Sequence, residues 1–123
     1  MRVKYVIVFV SDMSRSVSFY RDVVGLSLKF QSDGWSEFAT EGATWALHKS
    51  DDSNSENKNS EMEPAGRCRS GFQVPNLEKF HKRMVELKVP CNQEPMEVFG
   101  AKIAQYVDPD GMVFSVGEET SDN

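Results

Sequence analysis

Few residues in this chain carry side chains that do acid–base, nucleophilic or metal chemistry. The 123 residues include two histidines and two cysteines. Cys68 and Cys91 have neither CxxC nor zinc-ribbon spacing, so we interpret them as reduced thiols. His48 comes at the end of an apolar segment, where it is either solvated or a base, and His81 is predicted to lie on the surface of a helix. The sequence offers no nucleophile–base pair, which lowers the case for an enzyme without excluding one.

The candidate binding residues are those that strand alternation brings to one face of each predicted sheet. Successive side chains of a strand point to opposite faces, so residues two apart share a face. The predicted inward groups are Tyr5, Ile7 and Phe9; Thr44, Ala46 and His48; Arg69, Gly71 and Gln73; and Val113, Ser115 and Gly117. An apolar wall with a few convergent polar groups is typical of a small-molecule site. From these groups we take as ligand-binding residues Arg69, Tyr5, His48, Gln73, Ser115 and Phe9.

Arg69 is the polar residue of this set with the clearest chemistry. Facing the hydroxyl of Tyr5, its guanidinium could hold a carboxylate or another small anion through charge-assisted hydrogen bonds. In the alternative interpretation, Arg69 pairs with an acid such as Glu37 and closes the seam between two sheets. Trp35 and Trp45 are predicted to pack against other side chains rather than to stack on a ligand.

The first half of the chain contains the elements that would position the first of these groups. Residues 2–10 are rich in β-branched and aromatic side chains and predict a strand. Side chains of Ser11 to Ser14 can cap a helix over residues 14–24, which Gly25 ends. Three strands are predicted to follow, near 26–32, 35–40 and 43–48.

The second half repeats this order of elements. It predicts a strand at 67–74, a helix at 76–88, an edge strand at 89–94 and strands at 100–107 and 112–117. Pro90 and Pro95 each remove a ladder donor, which favours an edge position for the third of these elements. The segment Asp108-Pro109-Asp110-Gly111 has type I turn chemistry between the last two strands.

A shift of 64 residues superposes the two halves, with Val10 on Val74, Asp12 on Asn76 and Tyr20 on Met84. We therefore predict an α+β fold of paired βαβββ modules, residues 1–49 and 67–118, within a single domain over 1–123. Two such modules could curl into a curved mixed-sheet cup with the helices outside. Residues 50–63 have one large apolar side chain, Met62, so segment 50–66 is predicted to be a flexible linker.

Charge and hydropathy exclude several classes of partner. The net charge of −5 and the pI near 5.0 argue against nucleic-acid binding, which needs a basic face. No apolar run reaches the roughly 20 residues of a membrane span. The start, Met1 to Lys4, has no signal-peptide architecture, so we expect a cytoplasmic protein with no membrane partner.

Two motifs identify a resemblance to a known superfamily. The segment Val10-Ser11-Asp12-Met13, with Ser16, Phe19-Tyr20 and Gly25-Leu26 after it, resembles the V-x-D-…-S-x-x-F-Y-…-L-G start of the vicinal oxygen chelate superfamily. This is the group of glyoxalase I, bleomycin-resistance proteins and extradiol dioxygenases. Asp108-Pro109-Asp110-Gly111 is similar to its D-P-D-G ending. The resemblance covers nearly the whole chain apart from the 50–63 segment, and it implies the cup fold and a homodimer.

The resemblance also locates the positions where metal-dependent members hold their ion. By the family pattern these are Tyr5, Ala46, Arg69 and Ser115, and family members use His, Gln or Glu there. Alanine cannot ligate, arginine stays protonated, and serine and neutral tyrosine are poor ligands for these ions. We therefore predict no metal centre and no cofactor.

Our leading functional hypothesis is that the protein binds a small organic molecule in the cup without a metal, and this molecule could be an anion. Bleomycin-resistance members of the superfamily bind their ligand in this way, by sequestration. The alternative is a lyase, isomerase or dioxygenase of the same superfamily that uses relocated residues such as His48. A structural module without a ligand is the third possibility.

Overall fold

A computed structural model of the chain describes residues 3–50, 69–98 and 100–119. The chain divides into two compact units, Met1–Ser60 and Glu61–Asn123. Cys68 and, apart from Ser50, the predicted linker 50–66 lie outside the described residues. None of the described helices is long and apolar enough to cross a membrane.

The first module has the predicted order of elements, strand–helix–three strands. Its elements are β1 (Tyr5–Val10), α1 (Met13–Ser18) continued by a π-helical segment (Phe19–Val24), β2 (Ser27–Gln31), β3 (Trp35–Ala39) and β4 (Thr44–Lys49). The strands form one sheet in the order β1-β4-β3-β2. β1 runs parallel to β4, and the other pairs are antiparallel.

The second module repeats this topology. Its elements are β5 (Ser70–Val74), α2 (Leu77–Glu86), β6 (Cys91–Val98), β7 (Ala101–Val107) and β8 (Val113–Glu118). The strand order is β5-β8-β7-β6, again with the first and last strands parallel. The α+β fold class and the two βαβββ modules are thereby confirmed.

The two helices begin in the same way, 64 residues apart. Asp12 and Asn76 are the N-caps, with φ/ψ of −137°/103° and −139°/105°. Each side-chain oxygen accepts a hydrogen bond of 3.0 Å from the backbone N–H three residues on, at Arg15 and at Lys79. An N-cap satisfies a helix donor that would otherwise have no partner within the helix. The backbone angles of the two N-caps therefore agree with the predicted repeat of 64 residues.

The helix ends differ by one residue because the first helix has a π-helical segment. Gly25 and Lys88 take the left-handed conformation, with φ of 101° and 61°, so they lie 63 residues apart rather than 64. The N–H of Gly25 donates to the carbonyl of Tyr20 at 3.1 Å, the wider spacing of a π-turn, which absorbs the extra residue. The predicted stop at Gly25 is confirmed. The second helix, predicted at 76–88, ends at Glu86, and Leu87 after it is 46% exposed.

Each helix covers one face of its own sheet. The first core comprises Val8, Val10, Met13, Val17, Tyr20, Phe38, Trp45 and Leu47, and the second comprises Leu77, Met84, Ala104, Tyr106, Phe114 and Val116. Burying one such large side chain contributes roughly 1.5–3 kcal/mol, so the cores fix which face the helices cover. The opposite face of each sheet has no helix of its own module over it.

Tyr106 lies at the centre of the second core. Its hydroxyl is 2.8 Å from Nδ1 of His81, and its ring contacts those of Phe80 and Phe114 at centroid distances of 5.6 and 5.9 Å. His81, expected at the surface, is half-buried because this hydrogen bond draws it onto β7. Burial raises the pKa of Tyr106 to about 12, since the phenolate would lose its hydration.

The predicted edge strand and turn of the second module are both present. β6 is the edge strand, and its register with β7 shifts between Gln93 and Met96, around Pro95. This irregularity lets the strand continue past the proline to Val98, further than predicted. In the turn, the N–H of Gly111 donates to the carbonyl of Asp108 at 2.9 Å. Oδ1 of Asp108 also accepts from the N–H groups of Asp110 and Met112, at 2.9 and 2.8 Å.

The equivalent caps lead to a first prediction. Asp12→Ala and Asn76→Ala should each lower the free energy of unfolding by about 1 kcal/mol, because each leaves a helix N–H without its side-chain acceptor. Ser14→Ala, an exposed position in the first turn of α1, serves as the control and should change it by less than about 0.5 kcal/mol. Urea denaturation followed by circular dichroism measures all three. Equal values for the cap variants and the control would contradict the assignment.

Tyr106 gives a second prediction, for alkaline pH. In the unfolded chain the phenol loses its proton near its ordinary pKa of about 10, whereas in the fold it keeps the proton up to about pH 12. The unfolded state therefore binds fewer protons in this window, and stability should fall by up to about 1.4 kcal/mol per pH unit as pH rises.

Tyr106→Phe lacks this titration and should also lose about 1 kcal/mol at neutral pH with the hydrogen bond to His81. The stability advantage of the wild type over this variant should therefore shrink between pH 9 and pH 11.5. Urea denaturation at several pH values measures it, and a constant difference across that range would show that burial does not hold the proton.

Candidate functional site

The uncovered face of the first sheet carries exposed apolar side chains from β1. Tyr5, Ile7 and Phe9 are 40%, 45% and 63% exposed, whereas Val8 and Val10, which point the other way, are 5% and 1% exposed. Large apolar side chains at this exposure, three in a row on one strand face, are unusual away from binding surfaces.

Register extends this face across three strands. Ile7 lies opposite Ala46 and Phe9 opposite His48, and on the other side of β4 Glu37 lies opposite Ala46 and Trp35 opposite His48. We call this surface the aromatic face, defined by Tyr5, Ile7, Phe9, Trp35, Glu37, Ala46 and His48. The face therefore joins Tyr5, Phe9 and His48, three of the residues predicted from sequence.

The indole of Trp35 spans the aromatic face. Its ring centroid is 6.0 Å from that of Tyr5 and 5.8 Å from that of His48, both in edge-on geometry. Tyr5 and His48 lie at opposite ends of the face, and the strand pairing puts Ala46 in the row between them. An indole that contacts both rings therefore crosses this middle row. Ala46 is fully buried. Trp45, in contrast, packs into the core against Tyr20, with ring centroids 5.3 Å apart.

Glu37 holds the indole. Its Oε2 accepts a hydrogen bond of 2.8 Å from Nε1 of Trp35, and its Oε1 lies 3.4 Å from Nζ of Lys29. The Glu37 side chain is 13% exposed and that of Lys29 is 47% exposed. A charge-assisted bond of this kind is roughly twice as strong as a neutral one.

His48 has a defined tautomer on this face. Its Nδ1 is 2.8 Å from the carbonyl oxygen of Lys49, and because a carbonyl only accepts, Nδ1 carries the proton. In the neutral ring the lone pair is then on Nε2. The ring is exposed and lies 5.1 Å from that of Phe9. Nε2 can therefore accept a hydrogen bond or a proton.

The uncovered face of the second sheet is different in chemistry. In the strand pairing, Ser115 of β8 lies between Gly71 of β5 and Gln105 of β7. In the next row, Gln73 of β5 lies beside Gly117 of β8. A Cβ added at Gly71 or Gly117 would be in ordinary van der Waals contact with a backbone oxygen, 4.0 Å from that of Ser115 or 3.7 Å from that of Lys102. We call this surface the amide face, defined by Gly71, Gln73, Gln105, Ser115 and Gly117.

Two further side chains extend this second surface. Nδ2 of Asn92 donates to Oε1 of Gln105 at 2.6 Å, which leaves the Gln105 amide N–H groups as donors. Arg69 is exposed and directly precedes β5, the strand that carries Gly71 and Gln73. The structure thus places the predicted residues Gln73 and Ser115 on one face and Arg69 at the start of its first strand.

Trp35 and Glu37 are the residues that sequence reasoning did not assign to the site. Both lie in a strand that was predicted, but the segment Trp-Ser-Glu-Phe-Ala does not alternate apolar with polar side chains. Ser36 and Phe38 are the buried pair, so a serine takes a core position and a tryptophan the open one. The sequence signal that could have found them is the two-residue spacing of Trp35 and Glu37, because residues two apart in a strand lie on the same face of the sheet.

The residues at the superfamily's metal positions do not fit a divalent ion. The Ala46 side chain has no ligand atom, Arg69 carries a positive charge, and Ser115 stands between Gly71 and Gln105. Over residues 3–50, 69–98 and 100–119, no three His, Cys, Asp or Glu side chains come together as a metal-binding group. These residues therefore do not supply the ligand atoms that a divalent ion needs.

Comparison with solved structures shows the same fold. A glyoxalase/dioxygenase from Nostoc punctiforme is 17% identical, with a TM-score of 0.83 over 98% of this chain and 92% of that chain. A protein of unknown function from Agrobacterium tumefaciens C58 is 27% identical, with a TM-score of 0.76 over 98% and 95%. A lactoylglutathione lyase from Agrobacterium tumefaciens is 19% identical, with a TM-score of 0.73 over 94% and 92%.

The comparison with protein families agrees with the fold and with the two sequence motifs. No curated protein matches the chain. The sequence profile of the Glyoxalase/Bleomycin resistance protein/Dioxygenase superfamily matches residues 2–116, nearly the full length. The chain therefore belongs to the glyoxalase/bleomycin resistance protein/dioxygenase superfamily.

Proposed function

We propose that the protein binds a small organic molecule with a planar apolar part on the aromatic face, without a metal centre. The observation that carries this proposal is the exposure of Phe9, at 63%, on a face that also presents Tyr5, Trp35 and His48. Covering exposed rings removes apolar surface from water at roughly 25 cal/mol per Å². A flat ligand ring gains a further 0.5–1.5 kcal/mol or so from each well-oriented ring contact.

Polar groups on the same face support an oriented ligand. Nε2 of His48 and the hydroxyl of Tyr5 stand beside the rings, and a few polar groups among apolar ones are what fix a ligand's orientation. The second carboxylate oxygen of Glu37 lies 3.4 Å from Nζ of Lys29. Since the rest of the face is made of rings and hydrogen-bonding groups, we expect it to favour an uncharged ring.

Arg69 is proposed to bind an anionic group of a ligand at the amide face. Arg69 is an exposed residue directly before β5, and the face of that strand carries the Gln73 amide and no side chain at Gly71. A guanidinium can bind a carboxylate with two parallel hydrogen bonds. The alternative, in which Arg69 has a structural role, predicts a different outcome for its variant.

A second candidate function is catalysis with His48 as the base. The observation in its favour is the tautomer, which leaves Nε2 able to accept a proton on an exposed face. Catalysis would release an altered product, whereas sequestration returns the ligand unchanged. A homodimer and a cytoplasmic address stay predictions from the sequence and the superfamily.

The aromatic face gives a third prediction, with 2-naphthol as a neutral probe. Phe9→Ala should weaken binding about tenfold, because it removes the most exposed ring of the face. Val85→Ala, an exposed apolar position on α2, is the matched control and should bind like the wild type. Isothermal titration calorimetry measures the affinities.

The same titration separates metal-free binding from the alternative. After treatment with a chelator the wild-type affinity should be unchanged, since no donor set for an ion is involved. A lost signal after chelation, or equal affinities in wild type and Phe9→Ala, would overturn the proposed function.

Arg69 gives a fourth prediction, with benzoate as an anionic probe. Arg69→Met should weaken binding about 10- to 150-fold, the equivalent of roughly 1.5–3 kcal/mol for a lost charged hydrogen bond. Backbone amide shifts of Gly71 and Gly117 in NMR titrations report the binding at this face. A large loss of thermal stability with an unchanged benzoate response would instead assign Arg69 a structural role.

A further inference from the structure

We propose that Glu37 is the positioning residue of the aromatic face: its carboxylate holds the indole of Trp35 across Ala46, so that the ring stands in place before a ligand binds. This inference rests on the proposed function for its effect on affinity, but not for the positioning itself. The carrying observation is the 2.8 Å hydrogen bond from Nε1 of Trp35 to Oε2 of Glu37.

The hydrogen bond selects one orientation of a large side chain on an open surface. On an open sheet face several rotamers are available to a tryptophan, and its N–H can bond to water in each of them. The edge-on contacts with Tyr5 and His48 are individually weak. The charged acceptor, 13% exposed, adds a directional bond that only one orientation satisfies.

Lys29 lies beside the other oxygen of the Glu37 carboxylate. Its Nζ lies 3.4 Å from Oε1 of Glu37, so the two carboxylate oxygens serve two different partners. The lysine side chain is 47% exposed, so its pairing is screened by water and contributes little by itself. The Trp35–Glu37 bond, rather than the ion pair, is therefore the contact that orients the ring.

Ala46 occupies the row between Tyr5 and His48, the two rings that the indole contacts. Register places Ala46 directly beside Glu37 and Ile7, and its methyl group is fully buried. A larger side chain at this position would compete with the indole for the space between Tyr5 and His48.

The consequence for binding is preorganisation. A ring held before the ligand arrives loses no further rotamer freedom on binding, whereas a mobile ring loses conformational entropy when the ligand immobilises it. The fixed indole also decides which ligand shapes the face accepts, because a flat ring can lie against it and a bulky aliphatic group cannot.

The test uses the indole N–H of Trp35 as its reporter in the full chain. The chain has two tryptophans, so two indole signals are expected by ¹H–¹⁵N NMR, and Trp35→Phe identifies which signal is which. Glu37→Leu removes the acceptor at similar size, Glu37→Gln keeps an acceptor without the charge, and Ala46→Val enlarges the side chain between the two rings that the indole contacts. Val85→Ala is the control. Solvent exchange of the indole N–H and the 2-naphthol affinity are measured for each.

We expect the Trp35 signal to shift and to exchange with water about tenfold faster in Glu37→Leu, and the 2-naphthol affinity to fall about tenfold. Glu37→Gln should stay within about threefold of the wild type in both readouts, and Ala46→Val should resemble Glu37→Leu. A merely structural role would lower the melting temperature while the indole signal and the affinity stay at wild-type values.

An unchanged Trp35 signal in a folded Glu37→Leu protein overturns the inference. Should that variant unfold, Glu37→Gln and Ala46→Val decide it through the same signal, and a wild-type signal in Ala46→Val would then count against it. If the wild type does not bind 2-naphthol, the proposed function fails, while the indole exchange rates still show whether Glu37 positions the ring.

Discussion

One constraint underlies every feature of this protein: each four-stranded sheet has two faces, and each module has one helix with which to cover them. Burial of large side chains is the main favourable term in folding, so the helix takes the more apolar face and fixes the orientation of every strand. Along β1 the result is an alternation between Val10, 1% exposed, and Phe9, 63% exposed, in adjacent positions. One face of the sheet therefore stays without a helix of its own module, because the module has one helix and the sheet has two faces.

The repeat supplies two such faces, and sequence divergence has given them different chemistry. The backbones match closely, down to the dihedral angles of the N-caps Asp12 and Asn76. The first face presents rings around Trp35, whereas the second presents amide and hydroxyl groups beside Gly71 and Gly117, with Ile103 opposite Gly117. Exposed residues of these faces, such as Phe9 and Gln73, contribute little to the core, so they can change without loss of the fold.

The open face of the first sheet shows how far its chemistry depends on individual side chains. Ala46 brings no polar atom to the face, while Glu37 in the neighbouring strand accepts a hydrogen bond from the indole of Trp35. Membership of the superfamily therefore establishes the scaffold, while the residues on the open faces decide what the scaffold can do. A fold shared at 17–19% identity carries no reaction with it.

The sequence by itself determined the local features: the strand alternation of Tyr5 and Phe9, the two helix caps, the stop at Gly25, the turn at Asp108 and the edge position of β6. These depend on the intrinsic geometry of a few neighbouring residues, so a short stretch of sequence is enough to predict them. The same reasoning placed His48 on the face with Tyr5 and Phe9, because strand alternation is local and register follows from the buried side.

Only the tertiary structure decided the contacts between elements. The hydrogen bond between Tyr106 and His81 joins a strand to a helix 25 residues away in sequence, and His81, predicted to lie at the surface, is half-buried beside it. The indole of Trp35 reaches Tyr5, 30 residues earlier, and its direction depends on a carboxylate and on the space in the row of Ala46. Such contacts depend on side-chain rotamers and on the space left by neighbouring strands, and neither is encoded in the spacing of residues along the chain.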